Sequence, residues 1–341
     1  MPRSALSSDC PIFDLGPVKL QHGATADLRL AYKTYGTLGK RRDNAVVLPT
    51  FYTGDHVRSE QLFGAGRAID PTHHFIVSVN LMGNGLSSSP SNTPPPHDGP
   101  RFPAITLHDN VRFQHRLLTE LWDVRRVALV AGWSMAGCQA YEWAAQFPGM
   151  VRAILPYCAS AKTSIHNIVF LEGVKAALSA DASFERGNYT VAPERGLRAF
   201  GRAYAGWAYS QAFFRKHLYR ELGFASFEEL LSDWERDHLD WDANDLLAML
   251  WSWQRGDISA NDQYGDNFVK ALSAIEARAI LVPCNQDLYF PPADNAFEAK
   301  HMPNAVLRPF DSDWGHSAGS PGRVPAFTRY FDRCAAELLA A

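Results

Sequence analysis

The chain has 341 residues, of which 46% are hydrophobic and 20% are charged, and its formal net charge is -3. This apolar content is sufficient for one large core, with or without a smaller appended domain. The charges form no basic stripe or polybasic run. No stretch approaches the roughly 18 consecutive apolar residues of a membrane-spanning helix. The composition therefore argues against nucleic-acid and membrane partners.

The N-terminal residues and the cysteines indicate a compartment. Residues 1–16 contain no apolar segment of the kind that directs secretion. The cysteines are odd in number, scattered and without a C-x-x-C pair, which favours reduced thiols over a disulfide or zinc framework. We therefore expect a soluble cytoplasmic protein. The five cysteines are Cys10, Cys138, Cys158, Cys284 and Cys334.

Strand and helix patterns alternate along most of the chain. Residues 12–20 and 28–38 combine apolar and β-branched residues around a turn-like segment and predict two paired strands. Short continuous apolar runs, typical of strands buried on both faces, follow at 45–48, 75–79, 127–130 and 153–155, and strand patterns return at 279–282 and 305–307. Helical windows such as 109–121 separate them. This alternation predicts an α/β fold with a mostly parallel central sheet and helices on both faces.

The middle of the chain has a different pattern. Residues 160–267 contain few β-branched runs and many amphipathic windows rich in Ala, Leu, Trp and Phe. We therefore expect a helical lid at residues 161–270, inserted into a core made of residues 1–160 and 271–341. Residues 87–103 are dense in Ser and Pro, which predicts an irregular loop.

The strongest chemical signal is the segment Gly-Trp-Ser-Met-Ala at residues 132–136. It follows the G-x-S-x-G pattern of a nucleophile elbow, in which a serine lies in a tight turn between a strand and a helix. A strand pattern precedes Ser134 and a helical pattern at 135–147 follows it. Ala136 replaces the second glycine but is still small. The pattern predicts an α/β-hydrolase fold with Ser134 as the nucleophile.

A serine nucleophile needs a histidine base that is oriented by a carboxylate. In this fold the order along the chain is Ser, then Asp or Glu, then His, with the acid and the base after late strands. Asp287 and His316 follow the strand patterns at 279–282 and 305–307, so we expect them to be the acid and the base. Competing residues, which we interpret as solvent-exposed, helix-capping or structural, are Asp294, Asp311, Asp313, His22, His73, His74 and His301.

An oxyanion hole requires two backbone N–H groups aimed at the charge that develops during acyl transfer. Met135 directly follows the nucleophile at the start of a helix and is the first expected donor. The second donor is expected in the loop at 50–54, with Tyr52 as the candidate. No phosphate-binding loop or metal motif is complete, so we expect neither a cofactor nor a metal.

Taken together, these segments resemble the homoserine O-acetyltransferase group of α/β-hydrolases. The resemblance extends over nearly the whole chain. It includes residues 35–38, 43–45, 102–106 and 109–114, the elbow helix with 139–143, and Asp287 with 290–292. It implies the Ser134, Asp287 and His316 triad, a helical lid and a homodimer. It also implies an acyl-serine intermediate formed from a thioester or ester donor.

The chain departs from this group where the substrate would bind. The group has an aspartate after the catalytic histidine, which holds the amino group of homoserine, whereas this chain has Ser317. Arg202 matches the lid arginine that binds the substrate carboxylate in the group, and a structural or solvated role is the alternative. Trp133 and Ala136 replace small glycines, and Trp133 is expected to reshape the acyl or acceptor pocket. These departures argue against homoserine as the acceptor.

Three functions are compatible with these residues. The preferred hypothesis is a hydrolase that cleaves a small ester or amide through Ser134. The second is an O-acyltransferase that moves an acyl group from acyl-CoA to a hydroxyl acceptor. The third is a non-catalytic binding protein on the same fold. The missing aspartate favours hydrolysis, because water then resolves the acyl-enzyme.

Overall fold

The computed structural model describes residues 10–340. Residues 1–9, which begin the segment searched for a secretion signal, lie outside the described residues. Residue 341, the last residue of the predicted core, lies outside them as well. The centre is an eight-stranded sheet in the order β1-β2-β4-β3-β5-β6-β7-β8. The strands are β1 (Ile12–Lys19), β2 (Thr25–Tyr35), β3 (Ala45–Pro49), β4 (Phe75–Val79), β5 (Val127–Trp133), β6 (Ala153–Tyr157), β7 (Arg278–Leu281) and β8 (Ala305–Leu307).

The sheet is antiparallel only at one edge. β1 pairs with β2, and β2 with β4, in antiparallel register. All pairs from β4 through β3, β5, β6 and β7 to β8 are parallel. The predicted mostly parallel sheet is confirmed, and its parallel strands all end at the same edge, where binding sites of such folds form.

Helices cover both faces of this sheet. Alternate residues of β3 belong to different apolar clusters: Ala45 and Val47 pack with residues of the helices at one face, whereas Val46 and Leu48 pack with the C-terminal helix at the other. The helices are α1 (His56–Ser59), α2 (Leu107–Trp122), α3 (Met135–Gln146), α4 (Ile165–Ser179), α5 (Glu194–Ala208), α6 (Gln211–Arg215), α7 (Phe227–Leu239), α8 (Ala243–Gln254), α9 (Phe268–Ser273), α10 (Pro292–His301) and α11 (Pro325–Leu339).

Helix α2 begins two residues before the predicted window because a capping box starts it. The hydroxyl of Thr106 accepts a hydrogen bond from the backbone N–H of Asp109, and the Asp109 carboxylate accepts one from the backbone N–H of Thr106. The long loop at 87–103 is irregular, as expected, except for a short 3-10 turn at Gly99–Arg101.

The chain between β6 and β7 contains α4 to α9 and short 3-10 turns. These helices share an aromatic-rich apolar cluster with the loop after β3 and with the loop before α10. Phe200, Tyr204 and Trp253 are among its buried rings, and Tyr52 stacks on Tyr204 at a centroid distance of 5.7 Å. The helical segment is therefore packed directly over the carboxyl ends of β3 and β5. Each helix in residues 10–340 is too short or too polar to cross a bilayer.

Candidate active site

Ser134 lies in the sharp turn between β5 and α3. Its dihedral angles, φ 57° and ψ −130°, fall in a region that residues other than glycine rarely adopt. A Cβ atom on Gly132 would lie 2.5 Å from the Cβ of Ala136, and one on Gly137 would lie 2.4 Å from the Cβ of Ala159. The turn therefore needs glycine at both positions, and it places Ser134 at the carboxyl end of β5.

His316 lies between Ser134 and Asp287. Its Nε2 is 3.0 Å from the Ser134 Oγ, and its Nδ1 is 2.7 Å from Oδ2 of Asp287. The other Asp287 oxygen accepts hydrogen bonds from the backbone N–H groups of Tyr289 and Phe290, at 2.8 and 3.1 Å. With Asp287 accepting the Nδ1 proton, Nε2 of a neutral imidazole is free to accept the serine proton. The structure thus brings together the three residues predicted as the triad, all of them buried.

Within residues 10–340, none of the alternative acids is hydrogen-bonded to His316. Asp313 pairs with Lys216 of the helical segment at 2.5 Å. Asp311 accepts a hydrogen bond from Asn285 at 3.3 Å. Asp294 belongs to the first turn of α10, and its Oδ2 has no hydrogen-bond partner among the described residues. The Nδ1 atom of His316 faces Asp287 and none of these three carboxylates.

The two expected oxyanion donors have free backbone N–H groups. Tyr52 lines the same cavity as Ser134, and Met135 is the first residue of α3. The first N–H groups of a helix have no partner within that helix. In the described part of the chain, neither backbone N–H donates to another backbone carbonyl. The side chain of Tyr52 is anchored instead, because its hydroxyl donates to the Leu246 carbonyl at 3.3 Å.

Trp133 contacts the histidine directly. Its indole ring stacks on the imidazole of His316 at a centroid distance of 4.8 Å, and its Nε1 donates to the His316 carbonyl at 3.1 Å. The ring of Phe51 packs edge-on against the same indole at a centroid distance of 4.8 Å. Trp133 lines the cavity, in agreement with the expected effect on the pocket, and sequence reasoning missed its contact with the imidazole.

A cavity of about 300 Å³ opens onto Ser134 and His316. Two cations and two carboxylates line it: Arg58, Arg323, Asp233 and Asp237. Sequence reasoning identified none of them, since they come from α1, from α7 and from the loop before α11, with no shared motif. Of the four, only Arg58 could have been placed near the active site from the sequence, because it closely follows the predicted oxyanion loop. Ser317, which follows His316, also lines the cavity.

Arg202 does not line this cavity, contrary to the expected role in substrate binding. Its guanidinium forms ion pairs with Glu228, at 2.6 Å, and with Glu235, both of which belong to α7. The side chain is 42% exposed. The physical reason is local charge: α7 supplies two carboxylates that hold Arg202 between α5 and α7. Its structural role, the alternative considered above, agrees with this placement.

Cys158 lies beside the acid and the base. Ligand atoms of Cys158, Asp287 and His316 all lie within 4.8 Å of one another. Burial, followed by the charge of Asp287, raises the pKa of the Cys158 thiol well above its usual range. A metal would require the thiolate and a free histidine nitrogen, whereas the thiol is stabilised here and Nδ1 already faces Asp287. The arrangement therefore fits a triad of Ser134, His316 and Asp287 with a neutral Cys158 thiol beside it better than it fits a metal centre.

The fold, the strained serine turn and the buried serine, histidine and aspartate together define the class of α/β-hydrolases. No protein-family model matches the sequence. An ethyl acetate hydrolase of Pseudomonas veronii is 36% identical over 310 residues, which cover 89% of this chain and 88% of that protein. A homoserine O-acetyltransferase of Trichormus variabilis is 30% identical over 319 residues, with 89% and 87% coverage.

A solved esterase structure is also similar to this chain over almost its whole length. The acetyl esterase MekB has a TM-score of 0.94 with this chain at 35% identity, and the match covers 97% of each. The chain belongs to the α/β-hydrolase family that contains these esterases and the homoserine O-acetyltransferases, as the resemblance in sequence predicted.

Proposed function

We propose that the protein is a serine esterase that hydrolyses short carboxylic esters through an acyl-Ser134 intermediate. The observation that carries this proposal is the continuous hydrogen-bonded arrangement of Ser134, His316 and Asp287 at the wall of a small cavity. Relatives named as an ethyl acetate hydrolase and an acetyl esterase support an ester of a short acyl group.

In the first half of the reaction, Ser134 Oγ attacks the ester carbonyl while His316 Nε2 removes the hydroxyl proton. The resulting oxyanion is held by the backbone N–H groups of Tyr52 and Met135. Collapse breaks the bond to the alcohol, which takes the proton from His316. In the second half, His316 removes a proton from water and the resulting hydroxide attacks the acyl carbon. Collapse breaks the bond to Ser134 Oγ, which takes the proton back from His316 as the carboxylic acid leaves.

We also propose that residues 161–270 act as a lid on the core formed by 1–160 and 271–341. Tyr204, Asp233 and Trp234 of this segment line the cavity, so the segment shapes the space available to the acyl group. The homodimer expected from the resemblance stays a prediction, which sedimentation of the purified protein can test.

The test supplies ethyl acetate alone, and acetyl-CoA with and without homoserine. A hydrolase releases acetate and ethanol from ethyl acetate, and it releases no additional CoA when homoserine is added. Homoserine-dependent release of CoA together with formation of O-acetylhomoserine would identify an acyltransferase and contradict the proposal. Failure of all three substrates, combined with no labelling of Ser134 by a fluorophosphonate, would indicate a non-catalytic binding protein.

A further inference from the structure

The cavity beside Ser134 contains two arginines without a carboxylate partner. Arg58 donates one hydrogen bond, to the Ser320 hydroxyl at 3.1 Å, and its guanidinium lies 5.4 Å from the centre of the Phe51 ring. Arg323 donates to the hydroxyl of Tyr209 at 2.9 Å. Within residues 10–340 neither guanidinium forms an ion pair, although each carries five N–H donors. Both therefore retain donors and charge for a ligand.

Both arginines lie close in the chain to segments that carry groups of the active site. Arg58 lies in α1, directly after the loop of Tyr52, and Arg323 follows the 3-10 turn Gly315–Gly319 that contains His316. Phe51 contacts both Arg58 and Trp133, the residue directly before Ser134. Contacts through Phe51 and Trp133 thus connect Arg58 to the turn that carries the nucleophile.

The carboxylates of the cavity do not neutralise this charge. Asp233 is ion-paired with Arg236 at 3.1 Å and is 51% exposed, and the Asp237 side chain is 65% exposed. Water screens such exposed charges strongly. Burial and then the neighbouring Arg323 cation lower the pKa of Arg58, whereas Asp237 acts in the opposite direction with a smaller effect. The arginines therefore repel one another within a partly enclosed cavity, which a bound anion would relieve.

We propose that the substrate is a short ester that carries a free carboxylate, bound between Arg58 and Arg323 while Ser134 attacks the ester carbonyl. The planar guanidinium fork matches a carboxylate, and such charge-assisted hydrogen bonds are stronger than neutral ones. A cavity of about 300 Å³ accommodates a half-ester of a small dicarboxylic acid or an acylated hydroxy acid. This inference rests on the proposed function and specifies its substrate.

The experiment compares matched esters with and without the carboxylate. Monomethyl succinate has a carboxylate on the acyl side of the ester, and dimethyl succinate is its neutral match. Acetoxyacetate has a carboxylate on the alcohol side, and its methyl ester is the neutral match. For each pair, kcat/KM is measured for the wild type, Arg58→Gln and Arg323→Gln. Arg125→Gln is the matched control, because Arg125 precedes β5 at the end opposite to Ser134 and its side chain is 72% exposed.

We expect the wild type to prefer the charged member of at least one pair, and that pair identifies the side that carries the carboxylate. Either cavity substitution should reduce the ratio of charged to neutral kcat/KM by about tenfold to a hundredfold, as expected for loss of hydrogen bonds to a charged group. Arg125→Gln should retain the wild-type ratio. Preference for the neutral member of both pairs, or ratios unchanged in both cavity variants, would overturn the inference.

A binding measurement separates this inference from the proposed chemistry. Calorimetric titration of monomethyl succinate and acetoxyacetate into the Ser134→Ala protein reports the anion site without turnover. Binding that is lost in Ser134→Ala/Arg58→Gln supports the site even if hydrolysis of every ester fails. Hydrolysis of neutral esters with no binding of either anion would overturn the site and leave the esterase proposal standing.

Discussion

The indole of Trp133 both stacks on the imidazole of His316 and donates a hydrogen bond to its carbonyl. We propose that it is a positioning residue, which keeps Nε2 within reach of the Ser134 hydroxyl. Trp133→Phe retains a ring but loses the hydrogen bond, and we expect a loss of kcat of up to about tenfold. Trp133→Ala frees the imidazole, and misplacement on the scale of 1 Å costs about a hundredfold. Steady-state kinetics with p-nitrophenyl acetate measure both; an effect on KM alone, with kcat intact, would contradict positioning.

At the scale of the elements, the turn between β5 and α3 depends on a close contact. A methyl group at residue 132 would lie 2.5 Å from the backbone carbon and the Cβ of Ala136. We expect Gly132→Ala to reduce the free energy of unfolding by about 1–3 kcal/mol, because the strand and helix must move apart. Gly173→Ala is the matched control: Gly173 is an exposed residue of α4 with no atom near its Cβ position. It should stabilise the protein by up to about 1 kcal/mol in urea denaturation. A neutral Gly132→Ala substitution would contradict this account of the turn.

Helix α10 joins the elbow helix and the helical segment through one buried carboxyl group. Glu298 accepts hydrogen bonds from the backbone N–H of Ala161, from the hydroxyl of Tyr141 and from the amide of Asn295, at 2.6–2.7 Å. Burial nevertheless dominates and raises the pKa of Glu298 to about 7, from 4.5. The folded protein therefore retains a proton that the unfolded chain releases between about pH 4.5 and pH 7.

This shift has a defined sign. The stabilisation from protonated Glu298 is complete below the unfolded pKa and is lost as the pH rises through the folded one. Between pH 5 and pH 8, wild type should lose on the order of 2–3 kcal/mol relative to Glu298→Gln, measured by urea denaturation at each pH. Glu276→Gln, at an exposed position, controls for removal of a carboxylate without burial. A wild-type to Glu298→Gln difference that is the same at both pH values would contradict the assigned shift.

At the scale of the whole molecule, the sequence was most informative where a pattern is local. The apolar run at 75–79 matches β4 residue for residue, because buried parallel strands are continuous apolar segments bounded by turns. The run at 305–307 also matches β8, although this strand at the edge of the sheet is only partly buried. The serine turn and the triad residues Ser134, Asp287 and His316 could be predicted for the same reason, because each of these residues follows a predicted strand. These local patterns were sufficient to predict the fold and the three residues of the triad.

Contacts between segments that are distant in the chain could not be predicted from the sequence. Arg58 and Arg323 are 265 positions apart, and neither belongs to a motif, so only the folded chain shows that they share a cavity. Arg202 illustrates the opposite case: its position matched a family pattern, but two carboxylates on α7 hold it away from the cavity. Whether such a side chain lines the cavity depends on partners from other helices, and these partners produce no periodic signal in the sequence.

The central claim is that Ser134 forms the acyl intermediate. Its most direct test is the rate of p-nitrophenyl acetate hydrolysis by wild type and Ser134→Ala, together with peptide mapping after reaction with a fluorophosphonate. We predict that wild type hydrolyses the ester and is labelled on Ser134, and that Ser134→Ala loses activity by roughly 10⁴-fold or more and takes up no label. A Ser134→Ala protein that hydrolyses the ester at the wild-type rate, or a label on another residue, would contradict the account.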